Sequence, residues 1–382
     1  MYELFCKRCQ AAYSSKSKEW KCKCGNPLNV RYAPVADLSK QVIRFGPSSV
    51  WRYRDLLPIN RSDNIISLGE GFTPLVEAEI KGVPVLLKLE FVSVTGSFKD
   101  RGSTVMVSKL REIGVKAVVV DSAGNAGASI AAYCAKANIK CEVYISATAS
   151  KSKILQVQVY GAKLVKINGN REEVARVAIA AGEQHYFAGH GWNPYFLEGT
   201  KTIAFELWEQ LGWHEPDAIV IPVGCGTLLL GAYYGFKDLL VTKKIRRLPR
   251  LYAVQSDVAN PVYHTYIRSL EHPSNVALKG GKTSVTAEKF YIWQPARIKE
   301  IIDAVRDSDG TVLTVTDVEM SEALRDLGKR GIYVEPTAAS SIAAVTKLAR
   351  IGKISSNDVV VTPLTGSGLK ATEKILRCVS ID

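Results

Sequence analysis

Short apolar runs alternate with helix-period segments along most of this chain, and that rhythm predicts an α/β fold with open, mostly parallel, twisted sheets. Two further observations support it. Several runs pass directly into turns of glycine and small polar residues, as expected where a parallel strand hands the chain to the next helix. The 382 residues suffice for two domains with an appendage, and 47% hydrophobic with 23% charged residues is the balance of a globular enzyme.

The first 35 residues are set apart by cysteine. Cys6-x2-Cys9 and, after a twelve-residue gap, Cys22-x-Cys24 are two thiolate knuckles that can close a tetrahedral zinc site, and Gly25 permits the tight turn around the second pair. Two disulfides, or four incidental thiols, are the alternatives. With four protein ligands and no open position, a Zn²⁺ held there is structural, and residues 1–35 form a zinc-ribbon-like module too small for a core of its own. Cys134, Cys141, Cys225 and Cys378 stand alone among apolar or small residues and read as reduced thiols.

Residues 36–75 are a lead-in ending at Ser67-Leu68-Gly69-Glu70-Gly71-Phe72-Thr73-Pro74-Leu75. Pro84 to Leu89 is a buried strand, and Ser103 to Ile113 a helix with Val105, Met106, Leu110 and Ile113 on one face. Thr95, Gly96 and Ser97 lie on the turn between them, where free N–H groups and hydroxyls can hold an anion. Lys99 follows, beside the electropositive helix start and Arg101. Both disfavour another positive charge, so its amine pKa is expected to be lowered, as Schiff-base chemistry requires. A lone lysine there would more simply be a solvated one.

Ala117 to Val120 is the next strand, entering Asp121-Ser122-Ala123-Gly124-Asn125 and a small-residue helix through Ala137. Strands at Cys141–Ile145 and Lys163–Ile167 and helices at Lys151–Tyr160 and Glu172–Ala181 complete this set of βα units. A helix spans Thr200 to Leu211, and a strand at Ala218–Pro222 runs into Val223-Gly224-Cys225-Gly226-Thr227-Leu228. Arg250 to Gln255 is a strand. Residues 256–310 resist assignment, with Lys279-Gly280-Gly281-Lys282-Thr283 a loop or lid. Thr314 to Gly328 reads as a helix with Thr316 and Glu319 as a capping box, and Asp358–Thr362 as the last strand, entering Pro363-Leu364-Thr365-Gly366-Ser367-Gly368.

The net charge of +13 favours anionic partners, either small phosphorylated molecules or nucleic acid. The basic residues are scattered, and no run reads as a nucleic-acid arm. No stretch of about 18 uncharged apolar residues occurs, and the N-terminus lacks a signal-peptide layout, so a cytoplasmic protein without a membrane partner is expected.

Four strand ends therefore carry small, glycine-containing turns, around Lys99, Asn125, Gly224 to Thr227 and Thr365. On these residues the chain resembles the pyridoxal-phosphate enzymes of the tryptophan-synthase β-subunit type, fold type II, and within them the threonine synthase group, from about Leu68 to the C-terminus. Thr95-Gly96-Ser97-Phe98-Lys99-Asp100-Arg101-Gly102 is similar to the family's lysine motif almost letter for letter. The resemblance implies that pyridoxal 5′-phosphate is bonded through its aldehyde to Lys99. It implies that Asn125 hydrogen-bonds the ring 3′-oxygen while Ser122, Ala123 and Gly124 receive the substrate carboxylate. Gly224, Cys225, Gly226, Thr227 and Leu228 then cup the cofactor phosphate, and Thr365 faces the pyridine nitrogen. A hydroxyl there cannot hold a full proton on that nitrogen as a carboxylate would, which suits elimination and replacement chemistry. Thr365 could instead merely cap the following helix.

The implied architecture is 36–105 with 191–382 as a large cofactor-binding domain and 106–190 as a small mobile one, in an expected homodimer. The implied reaction converts O-phosphohomoserine and water into threonine and phosphate. Thr95, Ser97 and Arg101, with Lys279 or Lys282, are candidates for binding the small phosphorylated amino acid. Val94 stands where a proline is usual, and Ala123 and Ala126 where hydroxyl residues are common. Those alanines leave open replacement at the β carbon of O-phosphoserine, forming cysteate or cysteine, or threonine/serine ammonia-lyase chemistry. A zinc-ribbon protein that binds nucleic acid without catalysis is the remaining alternative.

Overall fold

The computed structural model describes residues 2–32, 39–149, 151–271, 292 and 294–379. By its internal contacts the chain divides into two compact units, Met1–Phe72 with Ser93–Thr202, and Thr73–Val92 with Ile203–Asp382. Residues 93–105 and 191–202 belong to the first unit because the helices Lys99–Glu112 and Pro194–Gln210 meet there at two glycines. A Cβ on Gly102 would strike the Phe196 ring at 2.4 Å, and one on Gly199 would strike the Arg101 carbonyl at 2.1 Å. Only glycine allows that approach.

The first unit opens with a three-stranded antiparallel sheet in the order β2-β1-β3, formed by β1 (Tyr2–Phe5), β2 (Ala12–Tyr13) and β3 (Asn29–Tyr32). Its Leu4, Trp20 and Leu28 join the same core as Val118, Ile130 and Phe187, so the cysteine module is packed into this unit. The second unit begins with β4 (Leu75–Ile80) and β5 (Val83–Lys88), a tight antiparallel pair.

The main sheet of the first unit is four parallel strands in the order β8-β7-β6-β9: β6 (Ala117–Val120), β7 (Lys140–Ser146), β8 (Lys163–Ile167) and β9 (Tyr186–Phe187). The helices Asn125–Ala137, Lys151–Val159 and Arg171–Ala181 alternate with these strands. The second unit has six strands in the order β12-β11-β10-β13-β5-β4, parallel except for β4. Its remaining strands are β10 (Ala218–Pro222), β11 (Arg250–Ser256), β12 (Thr311–Val315) and β13 (Val360–Pro363). Its inner strands read Ala-Ile-Val-Ile and Val-Val-Thr-Pro because both faces are covered.

Several assignments shift. Thr314 belongs to β12, and the helix begins at Asp317 behind the expected Thr316–Glu319 capping box. The unassigned stretch contains helices Pro261–Glu271 and Ile298–Asp307, while the expected Lys279–Thr283 loop lies outside the described residues. No helix among the described residues is long and apolar enough to cross a membrane.

Candidate active site

Lys99 and Asn125 are each the first residue of a helix, Lys99–Glu112 and Asn125–Ala137. Asp100 locks the two helix starts together. Wholly buried, its carboxylate accepts from Thr95 N at 2.7 Å, Thr95 Oγ1 at 2.5 Å and Ser129 Oγ at 2.6 Å, and Ser129 lies one turn beyond Asn125. Ser129 Oγ also lies 2.7 Å from Ser103 Oγ. A buried carboxylate is tolerated only when its lone pairs are used in this way. The Thr95–Ser97 turn is thereby fixed to the helix that presents Asn125.

Lys99 is partly buried, with Nζ 4.2 Å from the Phe98 ring centre and 5.8 Å from that of Phe196. These faces attract its charge while limiting its hydration. Ser97, fully buried in the turn just before it, has an Oγ with no hydrogen-bond partner. A buried hydroxyl without a partner, two residues before Lys99, is a group awaiting a ligand. Arg101 is completely buried, and its guanidinium donates to Thr202 Oγ1 at 3.3 Å. It thus fastens the lysine helix to the helix Pro194–Gln210.

The loop Asp121–Gly124 leaves β6 and folds back over the helix it introduces. The Ser122 carbonyl lies so close to Gly127 that a Cβ there would stand 1.6 Å from the oxygen. Ser122, Ala123 and Gly124 are partly exposed, whereas Asn125 is buried. Behind this loop Tyr133 donates to the buried Glu70 at 2.7 Å, and burial raises its phenol well above the ordinary range, aided by the charges of Asp100 and Glu70.

In the second unit, β10 and β13 are parallel neighbours, so the turns Val223–Gly226 and Leu364–Ser367 leave the same edge of the sheet. Gly226 caps the helix Thr227–Val241 at φ +81°, and a Cβ there would meet the Ile301 side chain at 2.2 Å. The left-handed glycine lets the chain turn from β10 into the helix start, where backbone N–H groups of the Gly224–Leu228 turn favour an anion such as a phosphate. Thr227 and Leu228 are buried behind partly exposed Gly224 and Cys225.

Thr365 is nearly fully buried in the other turn. The capping alternative fails at this position. Ser367 Oγ accepts from Leu369 N and caps the short helix Gly368–Lys370, whereas Ala371 precedes the helix Thr372–Cys378.

His190 escaped the sequence reading. It follows β9, which is too short to show periodicity, and lies between two glycines. Its Nδ1 is buried without a hydrogen-bond partner, and its ring stands edge-on to Phe196 with centres 5.7 Å apart. The signal available was a lone histidine in a Gly-His-Gly turn at a strand end.

Residues 66–366 match the model of the family described as "Pyridoxal-phosphate dependent enzyme". The chain is 36% identical to a threonine synthase of Methanocaldococcus jannaschii over 383 residues, covering 97% of this chain and 94% of the relative. It is 34% identical to a threonine synthase of Methanosarcina acetivorans, covering 98% and 94%. The chain belongs to the pyridoxal-phosphate dependent enzymes and, among them, to the threonine synthases. The fold agrees with that of the processed threonine deaminase isoform 2 of Solanum lycopersicum, at TM-score 0.68 and 23% identity, covering 81% of this chain and 84% of that one. It is the fold type II architecture that the lysine motif implied.

The residues present fit pyridoxal 5′-phosphate. In the first unit an amine at a helix start suits its aldehyde, and in the second unit the glycine turn at the start of the helix Thr227–Val241 suits its phosphate. Thr365→Val, which keeps shape and removes the hydroxyl, is expected to shift the absorbance of the bound cofactor and lower kcat/KM between about threefold and tenfold. Thr365→Ser is expected to restore both. An unchanged spectrum and rate in Thr365→Val would remove Thr365 from the site.

Proposed function

We propose that this threonine synthase takes O-phosphohomoserine as its substrate and, with water, yields threonine and phosphate. The carrying observation is the Thr95–Gly102 turn, which presents Lys99 and an unsatisfied Ser97 hydroxyl on a helix tied through Asp100 to the helix of Asn125. When bound, pyridoxal phosphate supplies an electron sink for the charge left at the substrate's α carbon.

The chain's own residues do the rest. Lys99 holds the cofactor's aldehyde at rest, takes the α-proton during turnover and later carries the β-proton. Asn125 hydrogen-bonds the ring 3′-oxygen, and Thr365 offers the ring nitrogen a hydroxyl. Gly224, Cys225, Gly226, Thr227 and Leu228 hold the cofactor phosphate by backbone N–H groups and the Thr227 hydroxyl. Ser122, Ala123 and Gly124 receive the substrate carboxylate through the loop backbone. Thr95 acts through its bonds to Asp100, and Ser97 is the hydroxyl available to substrate. Arg101, whose guanidinium is directed to Thr202, stabilises the lysine helix. Phosphate leaves the γ carbon and water adds at the β carbon.

We also infer that the cysteine module holds one structural Zn²⁺. Its four Sγ atoms all lie within 4.8 Å of one another, with Cys6–Cys24 at 3.5 Å and Cys9–Cys22 at 3.4 Å. Tetrahedral zinc–thiolate bonding needs separations of about 3.8 Å. Both knuckles turn through left-handed residues, Gln10 at φ 62° and the expected Gly25 at φ 83°. All four cysteines are unbridged.

Lys99→Ala is expected to lose the visible absorbance of bound cofactor and all measurable phosphate release from O-phosphohomoserine. Normal turnover in that variant would sink the assignment. For the metal, elemental analysis of unchelated protein is expected to find about one zinc per chain. Cys6→Ser with Cys9→Ser is expected to release it and lower Tm by about 5 °C or more. Zinc-free protein with the wild-type Tm would refute the inference.

A further inference from the structure

The cysteine module grips one continuous segment of the first unit at three places. Lys21 Nζ pairs with Glu183 at 2.5 Å. Trp20, buried, packs on Phe187 with ring centres 4.9 Å apart and stands edge-on to Trp192 at 5.7 Å. At the far edge of the module, Tyr32 donates its hydroxyl to Glu198 at 2.7 Å, and Glu198 in turn pairs with Lys201 at 2.9 Å. Both of those charged side chains are buried.

The two aromatic contacts of Trp20 bracket Ala188-Gly189-His190-Gly191. Glycines on both sides leave His190 little intrinsic order, so its position must come from what holds the ends. One end is folded on Phe187, whose ring a Cβ on Gly189 would strike at 2.3 Å. The other is Trp192, followed by Asn193, whose Oδ1 accepts from Tyr195 N and Phe196 N and starts the next helix. Phe196, two residues before the Tyr32-bound Glu198, is the ring that packs on Gly102, faces Lys99 and meets His190 edge-on. Trp20 itself is two residues from Cys22, inside the loop that the four thiols close.

We propose that Trp20 is a positioning residue for the reaction: through Phe187 and Trp192 the cysteine module sets where Phe196 stands beside Lys99, with His190 edge-on to that ring. This rests on the reading of Lys99 as the reactive amine. The module is then part of the active-site scaffold as well as a source of stability, and loss of its metal reaches the chemistry through residues 187–196.

The test is hydrogen–deuterium exchange of the zinc- and cofactor-loaded enzyme, wild type against Trp20→Ala and Trp20→Phe, with kinetics on O-phosphohomoserine. In Trp20→Ala, amides of residues 188–196 are expected to exchange faster while zinc content and cofactor absorbance are kept. The value of kcat/KM is expected to fall about tenfold, since small misplacements near a reacting group cost that much or more. Trp20→Phe is expected to recover most of both. Exchange that is unchanged, or that rises only within residues 2–32, overturns the proposal, as does a wild-type kcat/KM. Faster exchange at 188–196 in an enzyme that ignores O-phosphohomoserine upholds the grip and refutes the substrate instead. Should Trp20→Ala fail to fold, Tyr32→Phe keeps the ring and removes the bond to Glu198. It is expected to speed exchange at 194–198, and no change there counts against the proposal.

Discussion

The carboxylate of Asp100 is the constraint on which the lysine side of the site depends. It lies one residue past Lys99, has no exposure to water, and is satisfied by the Thr95 amide, the Thr95 hydroxyl and the Ser129 hydroxyl. Removing any of these donors would leave a buried charge short of partners, which is costly enough to keep the arrangement closed. Together with the Ser129–Ser103 hydroxyl bond, this carboxylate locks the two helix starts in register. The glycines serve the same end. At Gly102 and Gly199 a methyl group would collide with the Phe196 ring or the Arg101 carbonyl, so the lysine helix and the helix Pro194–Gln210 approach closely, and Gly127 likewise leaves room for the Ser122 carbonyl of its own entry loop.

Most strands were legible because their apolar runs are short, β-branched and bounded by glycine or small polar residues, as at Ala117–Val120 and Ala218–Pro222. The Thr316–Glu319 capping box was legible because it is a local device with a fixed spacing. What escaped was decided by distant partners. The helix Pro194–Gln210 begins six residues earlier than Thr200, since Asn193 caps it and Gly199 is required for contact with Arg101 rather than to break the helix. The lysine helix likewise begins at Lys99, ahead of the first apolar periodic position.

Of the candidate site, the lysine turn, the asparagine loop and the phosphate-type turn were written in residue types whose chemistry is local. Thr365 was ambiguous between binding and capping, and the cap of the following short helix is Ser367. The surroundings of His190 and Asp100 were not readable: one is a solitary histidine after a two-residue strand, and the partner Ser129 of the other lies 29 residues further along the chain. The cysteine module was legible as a metal site, but its attachment through Trp20 and Tyr32 depends on residues more than 150 positions away along the chain.

The central claim is that the lysine turn serves replacement chemistry on a γ-phosphorylated amino acid. The missing hydroxyls at Ala123 and Ala126 bear directly on that claim, since they alter how the asparagine loop meets a substrate. The measurement that tests it most directly is kcat/KM for three substrates under one set of conditions: O-phosphohomoserine, O-phosphoserine with sulfide or sulfite, and free threonine. The account predicts equimolar phosphate and threonine from O-phosphohomoserine, with kcat/KM at least about a hundredfold above the other two, as expected where a site is built around one charged group. A preference for O-phosphoserine, or 2-oxobutanoate and ammonia released from threonine as the fastest reaction, would contradict it.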